Sequence, residues 1–443
     1  MQTLIYNAII VNEGKQFKGG VIIDNELITA VFEGSRPDGS FSNIIDADGK
    51  YLIPGVIDDQ VHFRDPGLTY KGDIQTESRA ALAGGITSYM EMPNTKPQAT
   101  TLDELGKKYN RAAEVSAVNY SFYLGATNDN IGELERMNPR EICGVKVFMG
   151  SSTGNMLVDN DETLSNIFKY APSIITTHCE DESIIRQNMK LFRQKYGDNM
   201  PIAMHPQIRN AEACYKSSAK AVELATKYNA HLHVLHLSSA KEMSLFESGK
   251  ITEKRITSEV CVHHLWFDES DYEKYGTRIK WNPAIKSLSD KNALWEALLD
   301  NRIDVIATDH APHTIEEKNN NYWNAPSGGP LVQHSLIAML ECVMQGKISI
   351  ERVIEKMCHA PAELYRVSKR GFIRPGYFAD LVLVTPNANW QVNQKNIAYK
   401  CQWSPFEDSS FTNKVDTVFV NGQIGYHKGK FIPSQGKRLT FDW

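Results

Sequence analysis

Asp58-Asp59-Gln60-Val61-His62-Phe63-Arg64-Asp65-Pro66-Gly67 follows an apolar, β-rich run, Tyr51 to Ile57. The decapeptide therefore reads as the end of a buried strand. Side chains alternate along a strand, so Gln60 and His62 share one face. At the C-terminal mouth of a parallel barrel, that face looks into the active site. His62 could hold a metal from such a position, and Arg64 offers a planar fork for a carboxylate. Taken alone, a strand-end histidine is more often structural than a ligand, so the remaining strand ends carry the decision.

Working outward, strand-like runs alternate with helical ones. The strands fall at 52–62, 86–92, 120–125, 144–148, 174–178, 233–237, 256–261 and 304–308. Helical patterns lie between most of them, at 74–83, 102–115, 183–194, 212–227 and 288–299. Strands alternating with helices make a parallel sheet with right-handed crossovers. Eight strands close an α/β (β/α)8 TIM barrel. The competing open, doubly wound sheet lacks its Gly-x-Gly-x-x-Gly turn after an early strand. Short apolar runs at both chain ends, 4–11, 20–23, 27–32, 379–384 and 415–420, are too few to build separate cores. They are expected to pair into one small β-sandwich, residues 1–53 with 370–443, around a catalytic barrel of residues 54–369.

The 443 residues suffice for that large domain and a smaller one. A net charge of −5 gives no electrostatic case for nucleic acid or an anionic membrane. Seven scattered Cys without a Cys-x-x-Cys pair read as reduced thiols, which predicts a cytoplasmic protein. The N-terminus carries no basic region followed by a long apolar core, and no run is long enough to span a bilayer.

The strand ends carry His62 and Arg64, Asn94, Lys146, His178, His236, and Asp309 with His310 and His313. Three histidines, an aspartate and a lysine converging on one barrel mouth make a metal-hydrolase constellation. In His231-Leu232-His233-Val234-Leu235-His236, a period of two puts His236 on the opposite face from the other two histidines. His236 is the ligand candidate, and His231 and His233 are expected to face helices or solvent. A mid-strand Lys146 is costly to bury unless it is paired, or converted by carbon dioxide to a carbamate. His263 and His264 either support the site from behind or line it. His205 and His359 read as structural.

The chain resembles the dihydroorotases, within the cyclic amidohydrolases. The resemblance rests on Phe63-Arg64-Asp65-Pro66-Gly67, Met92-Pro93-Asn94-Thr95, Lys280-Trp281-Asn282-Pro283-Ala284, Asp309-His310-Ala311-Pro312-His313 and the stretch Gly371 to Leu381. It runs from about residue 2 to about residue 425. It departs at Gln60, where the family signature has a histidine.

The resemblance implies one or two zinc ions held by His62, Lys146, His178, His236 and Asp309, with carboxylation of Lys146 left open. It makes Asp309 the proton shuttle. It makes Arg64, Asn94, Asn282 and His313 the contacts to a small anionic substrate, L-dihydroorotate, in pyrimidine biosynthesis. A neutral amide is a poorer zinc donor than imidazole, so Gln60 should weaken the half of the site made by His62 and Asp309. A hydantoinase- or allantoinase-like activity and a non-catalytic scaffold are the alternatives. A homodimer is the default expectation.

Overall fold

The computed structural model describes residues 2–150 and 155–443. The eight barrel strands are Val56–Val61, Ile86–Glu91, Asn119–Phe122 continued by Leu124–Gly125, Val145–Phe148, Ile175–His178, Leu232–Val234, Ile256–Cys261 and Val305–Ala307. Neighbours pair in parallel around the ring, first through third and third through eighth. The ring closes where Val61 bridges His310 and the His62 amide donates to the His310 carbonyl at 2.7 Å.

The expected helices form between these strands. Their starts are fixed by side chains that accept from otherwise unpaired N–H groups: Asp73 before Ile74–Ala83, Thr101 before Leu102–Val115, and Ser287 before Leu288–Leu299. Their apolar faces bury Leu82, Leu105 and Leu298 against outward-facing strand residues such as Val56, Ile86 and Val145.

The first expected strand, 52–62, is two strands. Tyr51–Pro54 belongs to the terminal sheet and Val56–Val61 to the barrel. The break is Gly55, whose N–H donates to the Asp380 carbonyl at 2.8 Å. A Cβ there would stand 2.0 Å from Thr87 Oγ1, so only glycine lets the chain pass.

Nine strands from both chain ends form the second sheet. Tyr51–Pro54 lies at its centre, parallel to Gln2–Asn12 and antiparallel to Leu381–Thr385. Ile5, Ile10, Val21, Ile28, Leu52, Leu381 and Phe419 make its core. The last residues leave this sheet. Arg438 bridges Tyr120 and Phe441 bridges Val367, which puts Leu439 and Phe441 against Ile57, Met90, Tyr123 and Tyr365. The tail thereby covers the barrel end where the third strand begins, opposite the mouth. No helix among the described residues is long and apolar enough to cross a membrane.

Candidate active site

Gln60, His62, Arg64, Asn94, Lys146, His178, His236, Asn282, Asp309 and His313 line one cavity of about 270 Å³ at the mouth. Every site residue expected from the sequence is therefore brought together. Phe148, Trp281, Ala311 and the turn Pro326-Ser327-Gly328 complete the wall. Sequence reading missed this turn, because it lies beyond the eighth strand in a segment without a strand or helix signal. Arg64, His236 and Asp309 all have left-handed backbones, with φ of 70°, 41° and 48°. Such strain in non-glycine residues concentrates where side chains must be aimed.

Two sub-clusters face each other. In one, His178 Nδ1 lies 3.0 Å from His236 Nε2. The other nitrogen of His178 is 2.9 Å from Glu180, which pairs with Arg209. Burial opposes charge on Glu180, but Arg209 and His178 outweigh it and hold its pKa below the usual carboxylate range. Burial, with Lys146 nearby, lowers the pKa of both imidazoles, that of His236 strongly. They are therefore neutral near pH 7, as ligating imidazoles must be. His236 Nδ1 is buried without a hydrogen-bond partner. This sub-cluster fits a metal ion.

In the other sub-cluster, His62 Nε2 lies 3.1 Å from Asp309 Oδ1, and Asn94 Oδ1 lies 2.8 Å from His62 Nδ1. Gln60 Nε2 donates to the same Asp309 oxygen at 3.3 Å, while its amide oxygen faces Cys261. Gln60 thus meets Asp309 with an N–H group rather than a lone pair. This half fits a metal less well.

Lys146 is 1% exposed, with its ammonium 4.7 Å from the Phe148 ring centre. Burial pushes its pKa down to about 8. Arg64 donates to the Pro312 carbonyl at 3.2 Å and lies 3.1 Å from His313 Nε2. Among the described residues no carboxylate forms an ion pair with it. Lys71 Nζ donates to His313 Nδ1 at 2.8 Å. Asn282 Oδ1 is buried and unpartnered.

Three expectations for histidines change or resolve. His233 does not face helices or solvent. Its strand pairs in register with the fifth, placing His233 beside Thr176, which is itself beside Lys146. Cross-strand neighbours share a face, so His233 points into the barrel, where it is fully buried between Asp59 and Glu259. His231 is half-buried against Trp443. His263 and His264 do not line the cavity. His263 stacks on Trp281 at 4.4 Å, and His264 lies 3.1 Å from the Pro283 carbonyl, so they brace the loop carrying Asn282. His205 and His359 are buried against carbonyls of Trp281 and Gly371.

Residues 51–425 match the model of the amidohydrolase family. A dihydroorotase of Bacillus pumilus is 31% identical, over 98% of this chain and all of its own length. A dihydroorotase of Methanothermobacter thermautotrophicus is 31% identical, over 94% of this chain and 93% of its own. Among solved structures, an L-hydantoinase (dihydropyrimidinase) from Arthrobacter aurescens superposes with a TM-score of 0.93 at 27% identity, covering 99% of both chains. A dihydropyrimidinase from Brevibacillus agri gives 0.90 at 25% identity over the whole of both. With the barrel and the terminal sheet in agreement with these matches, this chain is a hydrolase that belongs to the amidohydrolase family.

Proposed function

We propose that this chain is a dihydroorotase, interconverting N-carbamoyl-L-aspartate with L-dihydroorotate and water. The observation that carries this reading is Arg64, a buried guanidinium at the cavity wall with no carboxylate partner among the described residues. A buried cation that no carboxylate contacts directly suits an anionic ligand, and the guanidinium fork matches a carboxylate. Dihydroorotate has a carboxylate, whereas hydantoin and allantoin have none. The dihydroorotase names of the sequence relatives support the same substrate.

The family is generally metal-dependent. His178, His236 and Lys146 would hold one ion, and His62, Asp309 and Lys146 a second, weaker one. When bound, zinc supplies Lewis acidity that polarises the amide oxygen and makes water nucleophilic near neutral pH. The chain's own residues do the rest. Arg64 holds the substrate carboxylate, and Asn282 Oδ1 accepts the ring N–H. Asp309 takes the proton from the attacking water and returns it to the leaving nitrogen. Its Oδ1, gripped by His62 and Gln60, fixes the carboxylate and leaves Oδ2 for the proton. With its pKa near 8, Lys146 has a share of neutral amine at physiological pH. That lone pair can attack carbon dioxide, release a proton and leave a carbamate anion.

The test is turnover of L-dihydroorotate, hydantoin and allantoin by zinc-loaded protein. Dihydroorotate is expected to be hydrolysed far faster than the others. Good turnover of allantoin with none of dihydroorotate overturns the assignment, and no turnover of any cyclic amide points to the scaffold.

A further inference from the structure

We propose that Asp59, His233 and Glu259 form a separate cation site inside the barrel, beneath the mouth, that takes a divalent transition-metal ion. The three side chains come from the first, sixth and seventh strands, and all are fully buried. One donor atom from each lies within 4.8 Å of the others.

The first strand delivers Asp59 by a bulge. Its register with the second strand shifts between Asp58 and Val61. Without that extra residue Asp59 would share a face with Val61, which packs outward in the core beneath the helices. Asp59 instead meets His233, which faces inward.

The distances carry the proposal. His233 Nε2 stands 3.5 Å from Asp59 Oδ2 and 3.4 Å from Glu259 Oε2. A charge-assisted N–H···O bond is shorter, roughly 2.7–2.9 Å. Donors in a tetrahedral shell at roughly 2.0–2.2 Å from zinc lie roughly 3.3–3.6 Å apart. The ring nitrogen meets Glu259 at the long limit of a hydrogen bond and stands almost equally far from Asp59, a spacing that matches the edges of one tetrahedral shell.

A second observation points the same way. Neither carboxylate oxygen of Asp59 makes a hydrogen bond among the described residues, although the residue is fully buried; its one ion-pair contact is the His233 ring nitrogen 3.5 Å from Oδ2, and Oδ1 has none. An unmade bond to a buried carboxylate is costly, and a shared cation would satisfy it. Glu259 keeps its other oxygen for the His236 N–H at 3.1 Å. The ion would therefore brace the left-handed turn that presents His236. One imidazole with two carboxylates suits zinc, iron or manganese rather than copper(I).

Zinc per chain, measured by elemental analysis after dialysis, separates this site from the mouth. In a His62→Asn/His178→Asn/His236→Asn variant the mouth loses its three imidazole donors, yet one tightly held zinc is expected to remain. Adding Asp59→Asn should remove it. Should that quadruple variant fail to fold, zinc-edge absorption on the triple variant reads the shell directly: one imidazole with carboxylate oxygens is expected, and His233 is then the imidazole nearest to two carboxylates. A zinc-free triple variant, an unchanged count after Asp59→Asn, or a shell without imidazole overturns the proposal and leaves a protonated His233 bridging the pair. None of these measurements depends on which cyclic amide is turned over.

Discussion

On one side of the pocket His178 and His236 face each other at 3.0 Å; on the other, His62 faces Asp309 at 3.1 Å beside a neutral amide. The first pair is anchored from behind by Glu180 and Arg209. The second is held by amides, Asn94 on the ring and Gln60 on the carboxylate. Imidazole with a carboxylate behind it is a stiff and basic donor set. A carboxylate wedged between a ring and an amide keeps its proton-accepting role but loses donors for an ion. On the proposed reading, one half of this mouth holds an ion and the other transfers a proton.

The largest effect should come from the proton-transfer half. Asp309→Asn keeps the shape and removes the base. Turnover of dihydroorotate should fall by about 10²–10⁴-fold, the usual contribution of a positioned acid–base group. Steady-state kinetics check this. Turnover within a few-fold of wild type would erase the division of labour between the halves.

Next comes Arg64, the proposed seat of the substrate carboxylate. Arg64→Lys keeps the charge and loses the fork. Losing one charge-assisted hydrogen bond costs about 1.5–3 kcal/mol, and KM should rise accordingly with kcat less affected. An unchanged KM would show that the guanidinium is not the clamp.

Glu180→Gln sharpens the holding half. It should weaken zinc binding or activity by about 10–100-fold, as loss of a group behind a ligand typically does. Competition with a chromophoric chelator measures it. Equal affinity in both proteins would mean that His178 needs no backing.

Gln60→His should have the smallest effect on turnover. It supplies the missing imidazole, so zinc affinity at the His62–Asp309 half should rise and thermal stability with it, because the ion binds only the folded state. Calorimetric titration with and without zinc reads both. Identical stoichiometry and affinity would show that residue 60 does not border an ion.

Much of this was legible in the sequence because polar residues at the ends of apolar runs are rare and expensive. Lys146, His178 and Asp309 stand out against Val145, Ile175 and Ile306. What was not legible depends on register. His233 was assigned to the wrong face because a period of two counted back from His236 assumes a strand reaching that far. The strand stops at Val234, and His236 sits on a left-handed turn beyond it. The bulge at Asp59 and the break at Gly55 are equally silent, since both arise from contacts with distant strands. Glu180 was visible two residues after His178, but nothing local announced Arg209 as its partner.

The C-terminal tail has a consequence for synthesis. Leu439 and Phe441 close the far end of the barrel, and burying such side chains stabilises the fold by about 1.5–3 kcal/mol each. Tyr51–Pro54 likewise finds one of its sheet neighbours only when Leu381–Thr385 has been made. During synthesis the barrel therefore stays unsealed, and this strand edge unpaired, until residues 381–385 and 438–441 have been made. Removing residues 436–443 would leave every residue of the mouth in place, yet would leave Ile57, Met90, Tyr123 and Tyr365 without the cover of Leu439 and Phe441.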